Sequence, residues 1–419
     1  MREDLRVILE EWNPWWDTEE VPTNLSGHPR QITDELAKLI EAKNIAKAII
    51  GPRRAGKTTV MYQLIDRLIN KRTDPRSVLY LNLEDPRLDK FSINEIYLEF
   101  MRMNKPGNSF IFLDEVHQKK EWARWVRTRI DLKSNDNIFL SGSTSRLISK
   151  KVAHLLAGRV FIKKVYPFSF KEILDINKVK PIGERGLSIA TGILEDCLKW
   201  GCYPAVVLEK DKNIKINTLI SYFETIVSRD ISTTHNLNAD KSDNIFRYIL
   251  KNSGDLTSVN KIKNVFKISY ETAEKYIEAM KDAMVIIESR RYAFSLKEQM
   301  AFPRKFYPVD LGLKTIGTAQ THEDIGKRLE TFIAEDLIKN GYGVFYESDG
   351  GECDIVITDR GNPVYALQVT KQLSSVNIKR ETKGLNIAKE KLKIDGEILT
   401  MEDVPKFLYL LGNGEKVFK

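Results

Sequence analysis

The sequence predicts an α/β protein with a doubly wound, mostly parallel β-sheet. In the first part of the chain, short apolar segments alternate with patterns of helical periodicity, which is typical of a parallel sheet with helices on both faces. A glycine-containing loop joins the first apolar segment to a helix, and polar residues follow two of the others. Because ligands of such sheets bind beyond the carboxyl ends of the strands, these residues are expected to converge. The predicted strands are residues 46–50, 78–83, 109–114, 137–142 and 160–166.

The loop after the first strand has the spacing of a phosphate-binding loop, or P-loop. Four residues separate Gly51 from Gly56, and Lys57 and Thr58 follow directly. Glycines let backbone N–H groups turn toward phosphates, the lysine reaches the β- and γ-oxygens, and the threonine hydroxyl binds Mg²⁺. The apolar stripe that follows predicts a helix whose N-terminus points at the phosphates, which disfavours a ligand-free turn. The predicted nucleotide-binding residues of this loop are Gly51, Pro52, Arg53, Arg54, Ala55, Gly56, Lys57, Thr58 and Thr59.

Two carboxylates end the third predicted strand. Asp114 is placed to hold Mg²⁺ through water opposite Thr58, and Glu115 to orient and polarise an attacking water. Paired acids also occur where a solvated loop begins. Because this pair follows a complete P-loop, we predict that Thr58 and Asp114 bind the metal and that Glu115 and Lys57 are catalytic.

Small hydroxyl residues follow the fourth predicted strand. In P-loop ATPases with an additional strand, a polar residue at this point contacts the γ-phosphate or the water. Ser141 and Ser143 are the candidates. Clusters of serine and glycine are also ordinary turn chemistry, so the pattern alone leaves both interpretations open.

The order of these motifs resembles that of archaeal AAA+ ATPases that carry a C-terminal helical and nuclease-like extension. The resemblance implies ATP with Mg²⁺ as cofactors, a helical lid, a winged helix-turn-helix region and a C-terminal α/β domain of the restriction-endonuclease type. It also makes an arginine finger plausible, with Arg159 as first choice and Arg146 as second. A finger acting in trans would require a homo-oligomer. The matching segments are residues 51–58, 80–85, 113–116, 141–143, 156–159, 166–170, 201–204, 229–231 and 306–312.

Composition bounds the class of protein. A chain of 419 residues is expected to form several domains, and its 42% hydrophobic and 30% charged residues describe a soluble globular protein. No run reaches the length of a membrane span, and the N-terminus lacks the apolar segment of a secretion signal. The three cysteines have neither zinc-ligand nor disulfide-framework spacing, so we expect a cytoplasmic protein without a membrane partner. The net charge of +8 is compatible with DNA but does not demand it, since 58 acidic residues are interspersed.

Changes in pattern divide the chain into five predicted parts. The first contains Trp12, Trp15 and Trp16 around Pro14, which favours packing onto a domain over base stacking. The resemblance places the segment near Arg30 beside the adenine. The parts are an N-terminal arm (1–30), a P-loop ATPase core (31–167), a helical lid (168–235), a winged-helix domain (236–300) and a restriction-endonuclease-like domain (301–419).

Three short helical patterns and an extended segment between 240 and 295 have the order of a winged helix-turn-helix. Ser269 is the expected N-cap of the third helix, which could enter a major groove. Residues 285–294 form the expected wing. Because winged helices also dock proteins, a DNA and a protein partner both remain open. The DNA-binding candidates are Tyr270, Thr272, Lys275 and Tyr276 on the helix and Arg290 and Arg291 on the wing.

The last part resembles a nuclease site that has lost key groups. A two-metal nuclease needs an acid on a helix, an Asp on a strand and Glu-x-Lys on the next strand. Glu330 and Asp354 fit, whereas Gln368 is a weaker ligand and Thr370 cannot supply the cation. Lys371 lies on the other strand face and would need a bulge to substitute. We therefore predict a fold that binds DNA or protein without cutting, with an active nuclease as the alternative.

Together, these patterns predict an ATPase whose cycle moves the winged-helix and nuclease-like parts on DNA. The alternatives are a nucleotide-gated signalling switch that recruits a protein partner and an ATP-dependent DNA nuclease. Stimulation of ATP hydrolysis by DNA separates the first interpretation from the second.

Overall fold

The computed structural model describes residues 2–142, 150–156, 158–318, 325–348, 350–375, 377–415 and 417–418. It divides into two compact units, Met1–Val165 and Tyr166–Lys419. Among the described residues, no helix combines the length and apolar character needed to cross a membrane.

The first unit contains a five-stranded sheet in which every pairing is parallel. The spatial order is β2-β3-β4-β1-β5, so the first strand lies between the fourth and the fifth. The predicted doubly wound parallel sheet is confirmed, and strand bounds differ from the prediction by two residues at most. The strands are β1 (Ala46–Ile50), β2 (Val78–Asn82), β3 (Ser109–Asp114), β4 (Asp136–Gly142) and β5 (Val160–Lys164).

Helices connect these strands and precede the first of them. The helix after β1 buries the apolar residues of its predicted stripe, including Val60, Leu64 and Leu68. A capping box at Ser92 and Glu95 fixes the start of another. The helices are α1 (Arg2–Trp12), α2 (Trp15–Thr18), α3 (Thr23–Ser26), α4 (Gln31–Lys38), α5 (Lys57–Asn70), α6 (Ile93–Asn104), α7 (Trp122–Asp131) and α8 (Lys150–Leu155), with short 3₁₀ turns at Pro75–Ser77, Pro86–Leu88 and Val116–Gln118.

The N-terminal arm covers the free edge of β2. The Asn13 amide donates to Tyr80 O (3.0 Å) and accepts from Tyr80 N (2.6 Å), as a neighbouring strand would. The Trp15 and Trp16 indoles both donate to Val78 O, and both rings are buried. These contacts support the packing interpretation of the tryptophans, because a ring buried against a sheet edge cannot stack on a base. They also satisfy backbone groups that an edge strand would otherwise expose.

The second unit contains a four-stranded sheet and a two-stranded ribbon. The sheet order is β11-β10-β9-β8, with parallel pairing of β10 and β11 and antiparallel pairing elsewhere. The antiparallel ribbon pairs β6 with β7. The strands are β6 (Ile286–Ser289), β7 (Lys305–Pro308), β8 (Gly343–Glu347), β9 (Cys353–Asp359), β10 (Asn362–Val369) and β11 (Gly396–Leu399).

The described residues of the second unit form three hydrophobic clusters, and the smallest packs Leu385 and Ala388 of the helix Ile378–Leu392 against β9 and β10. One of the other two joins helices after Phe168 to the four-stranded sheet, so the start of the predicted lid shares a core with the C-terminal region. The other joins the middle helices to the ribbon. The five-part domain division remains a prediction. The helices are α9 (Phe170–Ile176), α10 (Gly183–Trp200), α11 (Pro204–Leu208), α12 (Lys212–Thr225), a π-helix (Ile226–Thr233), α13 (Ala239–Lys251), α14 (Val259–Phe266), α15 (Tyr270–Asp282), α16 (Leu296–Ala301), α17 (Leu311–Gly317), α18 (Ile325–Lys339), α19 (Ile378–Leu392) and α20 (Val404–Gly412).

The segment predicted as a wing differs from the expectation. The strand ends at Ser289, and Arg291 forms a parallel bridge with Tyr346 at the edge of the four-stranded sheet. Tyr276, predicted to be exposed, is buried because it lies on the inner face of α15. The predicted N-cap is confirmed, since the Ser269 side chain accepts from Thr272 N.

Candidate nucleotide-binding site

The P-loop connects β1 to α5 in a conformation that requires glycine. A Cβ on Gly51 would lie 2.0 Å from the carbonyl oxygen of Val165, closer than any side chain can pack. Gly56 has φ of +94° and is the N-cap of α5. Arg54 also has a positive φ, of +68°. These values describe a tight loop wrapped around the N-terminus of a helix, which is suited to an anion.

The Lys57 ammonium lies inside this loop. Its Nζ donates to Gly51 O and Pro52 O, both at 3.1 Å, and the side chain is buried. These two hydrogen bonds hold the Lys57 ammonium next to the backbone of the P-loop. The role of Lys57 as a phosphate-directed charge remains a prediction.

Asp114 is the centre of a hydrogen-bond network that joins α5 and three strands. Its Oδ2 accepts from Thr58 Oγ1 at 2.5 Å and from Tyr80 OH at 3.0 Å. Its Oδ1 accepts from Ser141 Oγ, and the same Ser141 oxygen accepts from Glu115 N at 3.0 Å. The structure therefore brings together the predicted residues Thr58, Asp114, Glu115 and Ser141.

Tyr80 belongs to this network, but sequence reasoning assigned it no role. Burial and the Asp114 carboxylate raise the pKa of Tyr80 well above its usual range, so the phenol stays protonated and donates. Its ring lies 4.5 Å from that of Tyr62 on α5. The available signal was its position on β2, next to the strand that ends in the carboxylates.

Glu115 is held in a strained and buried position. Its φ of +51° lies in the left-handed region, which is uncommon for a residue with a side chain and is typical of functional sites. Burial raises the pKa of Glu115; Lys57 opposes this rise, and Asp114 adds to it. His117 Nδ1 lies 3.3 Å from Glu115 Oε2, a neighbour that sequence reasoning did not identify. The result is a carboxylate that is more basic than usual.

The segment before β1 packs against the P-loop. The Arg30 guanidinium donates to Ala55 O at 2.8 Å, and Gly27 lies against Thr59. Gln63 fastens this segment to α5, since its amide donates to the carbonyl groups of residues 26 and 28 and accepts from Arg30 N. Of the other loop residues, Arg53 lies 3.9 Å from the Glu84 carboxylate.

Arg159 lies at the end of the sheet that is opposite to the P-loop. Its carbonyl group accepts from Ala46 N, at the amino end of β1, whereas the P-loop follows the carboxyl end. Its guanidinium pairs with Asp131 at 2.8 Å. Within one chain, Arg159 is thus not near the loop. Ser143 and Arg146 lie outside the described residues.

The predicted degraded nuclease site is partly assembled in the second unit. Gln368 Oε1 accepts from Asp354 N at 3.2 Å, and Asp354 Oδ2 accepts from Val369 N at 2.9 Å. Burial, together with Glu330, raises the pKa of Asp354 above its usual range, and Lys305 opposes this rise. Thr370 instead bonds to the loop before α19. No group of three or more His, Cys, Asp or Glu side chains in the described part of the chain can hold a metal ion.

The DNA-binding candidates differ in how accessible they are. Tyr270 and Lys275 are exposed on α15, and Thr272 is half-buried. Arg290 Nε lies 2.7 Å from Glu288. Arg291 Nε lies 2.9 Å from Glu347, and its guanidinium stacks on a phenylalanine ring. The two arginines are therefore engaged within the unit.

The first unit has a five-stranded parallel sheet with flanking helices, like that of P-loop ATPases. A family model described as an AAA domain matches residues 43–174, which include the P-loop and both carboxylates. A second model, described as a domain of unknown function, matches residues 191–321.

Similar proteins come from several organisms. The chain is 29% identical over 378 residues to an uncharacterized protein of Methanocaldococcus jannaschii, covering 86% of this chain and 83% of that protein. It is 26% identical over 325 residues to an uncharacterized protein of Haemophilus influenzae, covering 74% and 78%. A Walker-type ATPase of Pyrococcus abyssi matches with 13% identity and a TM-score of 0.49, covering 72% of this chain and 99% of that chain. The Orc1 protein of Aeropyrum pernix in complex with DNA matches with 12% identity and a TM-score of 0.32, covering 77% and 96%.

Proposed function

We propose that the first unit binds ATP with Mg²⁺ and hydrolyses the γ-phosphate bond. The network around Asp114 carries this proposal, because it fixes the Thr58 hydroxyl beside the strand that presents Glu115. A hydroxyl and a carboxylate next to a P-loop lysine form the donor set that an Mg²⁺–nucleotide requires.

The residues of the site fit this ligand. Gly51 packs against the carbonyl oxygen of Val165, where no side chain fits, and this contact fixes the start of the loop. Lys57 would neutralise phosphate charge, and Thr58 and Asp114 would supply the oxygen ligands that Mg²⁺ prefers. When bound, Mg²⁺ neutralises charge on the phosphates. Glu115, whose pKa burial raises, orients the attacking water and accepts its proton.

Two substitutions test these roles separately. Lys57→Ala should abolish tight ATP binding, because the loop then lacks its cation. Glu115→Gln should retain ATP but turn over at least ~100-fold more slowly, as expected when a general base is lost. Glu121→Gln, a change at an exposed carboxylate of the same unit, is the control. Wild-type turnover by Glu115→Gln would remove Glu115 from the mechanism.

We also propose that hydrolysis occurs between protomers, with Arg159 as the finger. Its distance from the P-loop of its own chain supports action in trans. Arg159→Ala should lower turnover with little loss of nucleotide affinity, and mixing it with Lys57→Ala should restore some activity at a composite interface. Absence of rescue at every mixing ratio would leave Arg159 a structural residue that pairs with Asp131.

ATP turnover is proposed to be coupled to DNA through the second unit. The exposed Tyr270 and Lys275 on the third of three consecutive helices support this proposal. Lys275→Ala should weaken DNA binding and reduce its salt slope by about one phosphate contact. Lys281→Ala is the matched control, since this lysine of the same helix pairs with Glu278 and Glu288.

ATPase rates measured with duplex, with single-stranded and without DNA test the coupling. We expect DNA to stimulate turnover. Absence of DNA binding at low salt would instead favour a nucleotide-gated switch that recruits a protein. Cleavage of DNA in Mg²⁺ that Asp354→Ala abolishes would favour an ATP-dependent nuclease.

A further inference from the structure

A buried lysine lies among the carboxylates of the predicted nuclease-like site. Lys305, the first residue of β7, is fully buried. Its Nζ lies 3.0 Å from Glu330 Oε1 and 2.7 Å from Glu352 Oε1, and it donates to Asp354 O at 3.3 Å. This lysine comes from the ribbon and not from the strand where the Glu-x-Lys pattern was sought. We call Lys305, Glu330, Glu352 and Asp354 the ammonium cluster.

One oxygen atom of each residue predicted to hold a metal ion at this site accepts a hydrogen bond from the protein. Glu330 Oε1 accepts from Tyr307 OH at 2.8 Å as well as from Lys305. The Asp354 carboxyl accepts from a backbone N–H of β10, and the Gln368 carbonyl accepts from the N–H of Asp354. Each predicted ligand thus has a protein donor.

Two glycines allow backbone segments to pack beside residues of the ammonium cluster. Gly254 lies where an added Cβ would meet the Glu330 carboxylate at 3.5 Å, and its N–H donates to Phe306 O in the ribbon. On α19, a Cβ on Gly384 would lie 2.3 Å from Glu352 O and 2.8 Å from Gln368 Oε1. Glu330 is therefore closely packed, whereas the Glu352 side chain remains 45% exposed.

Electrostatics explains why a cation is needed beside Glu330, which is 6% exposed. Carboxylates removed from water are costly unless a positive charge and hydrogen bonds compensate them. A lysine tethered by its own backbone supplies that charge without the entropy loss of recruiting an ion. A divalent ion bound through the same oxygen atoms would have to displace the ammonium and break the bonds to Tyr307 and β10.

We infer that Lys305 is the resident cation of the ammonium cluster: its ammonium takes the place of a divalent metal ion, and it fastens the β6–β7 ribbon to the four-stranded sheet. This inference concerns the second unit and does not depend on ATP binding by the first. It makes the cluster a metal-independent structural centre.

Thermal unfolding without nucleotide tests this inference. The midpoint of the wild-type protein should be the same in EDTA and in Mg²⁺, Mn²⁺ or Ca²⁺. Lys305→Gln should lower the midpoint by about 5 °C or more, because it leaves carboxylates uncompensated. Mn²⁺ or Ca²⁺ should then restore about 2 °C or more, since an ion that binds only the folded state raises its stability.

A charge-balanced variant provides the control. The double change Lys305→Gln with Glu330→Gln should recover part of the lost midpoint and lose the response to Mn²⁺. A midpoint shift caused by metal binding in the first unit would be equal in the wild type, Lys305→Gln and the double variant. It would therefore cancel when the shifts of these proteins are compared. If Lys305→Gln fails to fold, folding of the double variant and of Lys305→Arg would still show that charge balance is what the site requires.

Two results would overturn the inference. The first is a wild-type midpoint that rises with Mn²⁺ and loses that rise in Asp354→Asn, which would show a metal site. The second is Mg²⁺-dependent DNA cleavage by the wild-type protein that Lys305→Gln abolishes. Lys305 would then be a catalytic lysine supplied from a different strand.

Discussion

The substitution Asn13→Ala tests whether the N-terminal arm completes the sheet of the first unit. In the folded protein the Asn13 amide pairs with both backbone groups of Tyr80 and also donates to Leu9 O at 2.7 Å. Asn13 is 1% exposed, so water does not replace these bonds without rearrangement. Alanine removes both the donor and the acceptor.

The size of the destabilisation by Asn13→Ala follows from the backbone groups that would lose their hydrogen-bond partners. A buried N–H or C=O that loses its hydrogen bond costs about 1–3 kcal/mol, and Tyr80 loses one of each. Allowing for partial entry of water, we expect a loss of about 3 kcal/mol in the free energy of unfolding. For a unit of this size, that corresponds to a midpoint lowered by about 6–12 °C.

Calorimetry of the wild type, Asn13→Ala and the exposed-site control Asn70→Ala measures this effect. Asn13→Asp should be at least as destabilising as alanine, because a carboxylate would face the carbonyl oxygens of Tyr80 and Leu9. A midpoint of Asn13→Ala equal to that of the control would refute the reasoning, and the arm would then contribute nothing to the edge of β2.

Three further predictions concern the first unit. Tyr80→Phe, which keeps the ring but removes the donor to Asp114, should lower kcat/KM for Mg²⁺–ATP by about tenfold, as steady-state kinetics would show. Lys47→Met should remove a desolvation cost of up to about 3 kcal/mol at pH 7, because burial lowers the pKa of Lys47 to about 8, and the lost donor to Ala42 O should make the net stabilisation smaller. The unfolded state binds more protons than the folded state between pH 8 and the unperturbed lysine pKa, so wild-type stability should rise with pH across that window, and denaturation of the variant should lack this rise. Gly51→Ala should abolish ATP binding in an equilibrium titration, since its Cβ would collide with Val165 O. The far-UV spectrum of this variant should remain that of the folded protein.

Local sequence patterns were sufficient to predict the P-loop and the two carboxylates at the end of β3. Their chemistry depends on short spacing within a strand–loop–helix unit or on the last residues of a strand. For this reason the predicted strands agree with the structure, and Thr58, Asp114, Glu115 and Ser141 meet where strand ends were expected to converge. The role of Tyr80 could not be predicted in this way, because it depends on β2 lying beside β3.

Long-range packing decided the rest. Asn13 pairs with a residue 67 positions away. Lys305 lies in a ribbon whose two strands the sequence patterns assigned to two different predicted parts of the chain. Tyr276 was predicted to be exposed because a helical pattern does not by itself reveal which side faces a core. The sequence determined which groups could bind a phosphate or a cation, since that chemistry belongs to residue types and short spacings. Only the tertiary structure decided that a tethered ammonium faces Glu330 and Glu352, because distances between side chains on separate strands are set by how those strands pack.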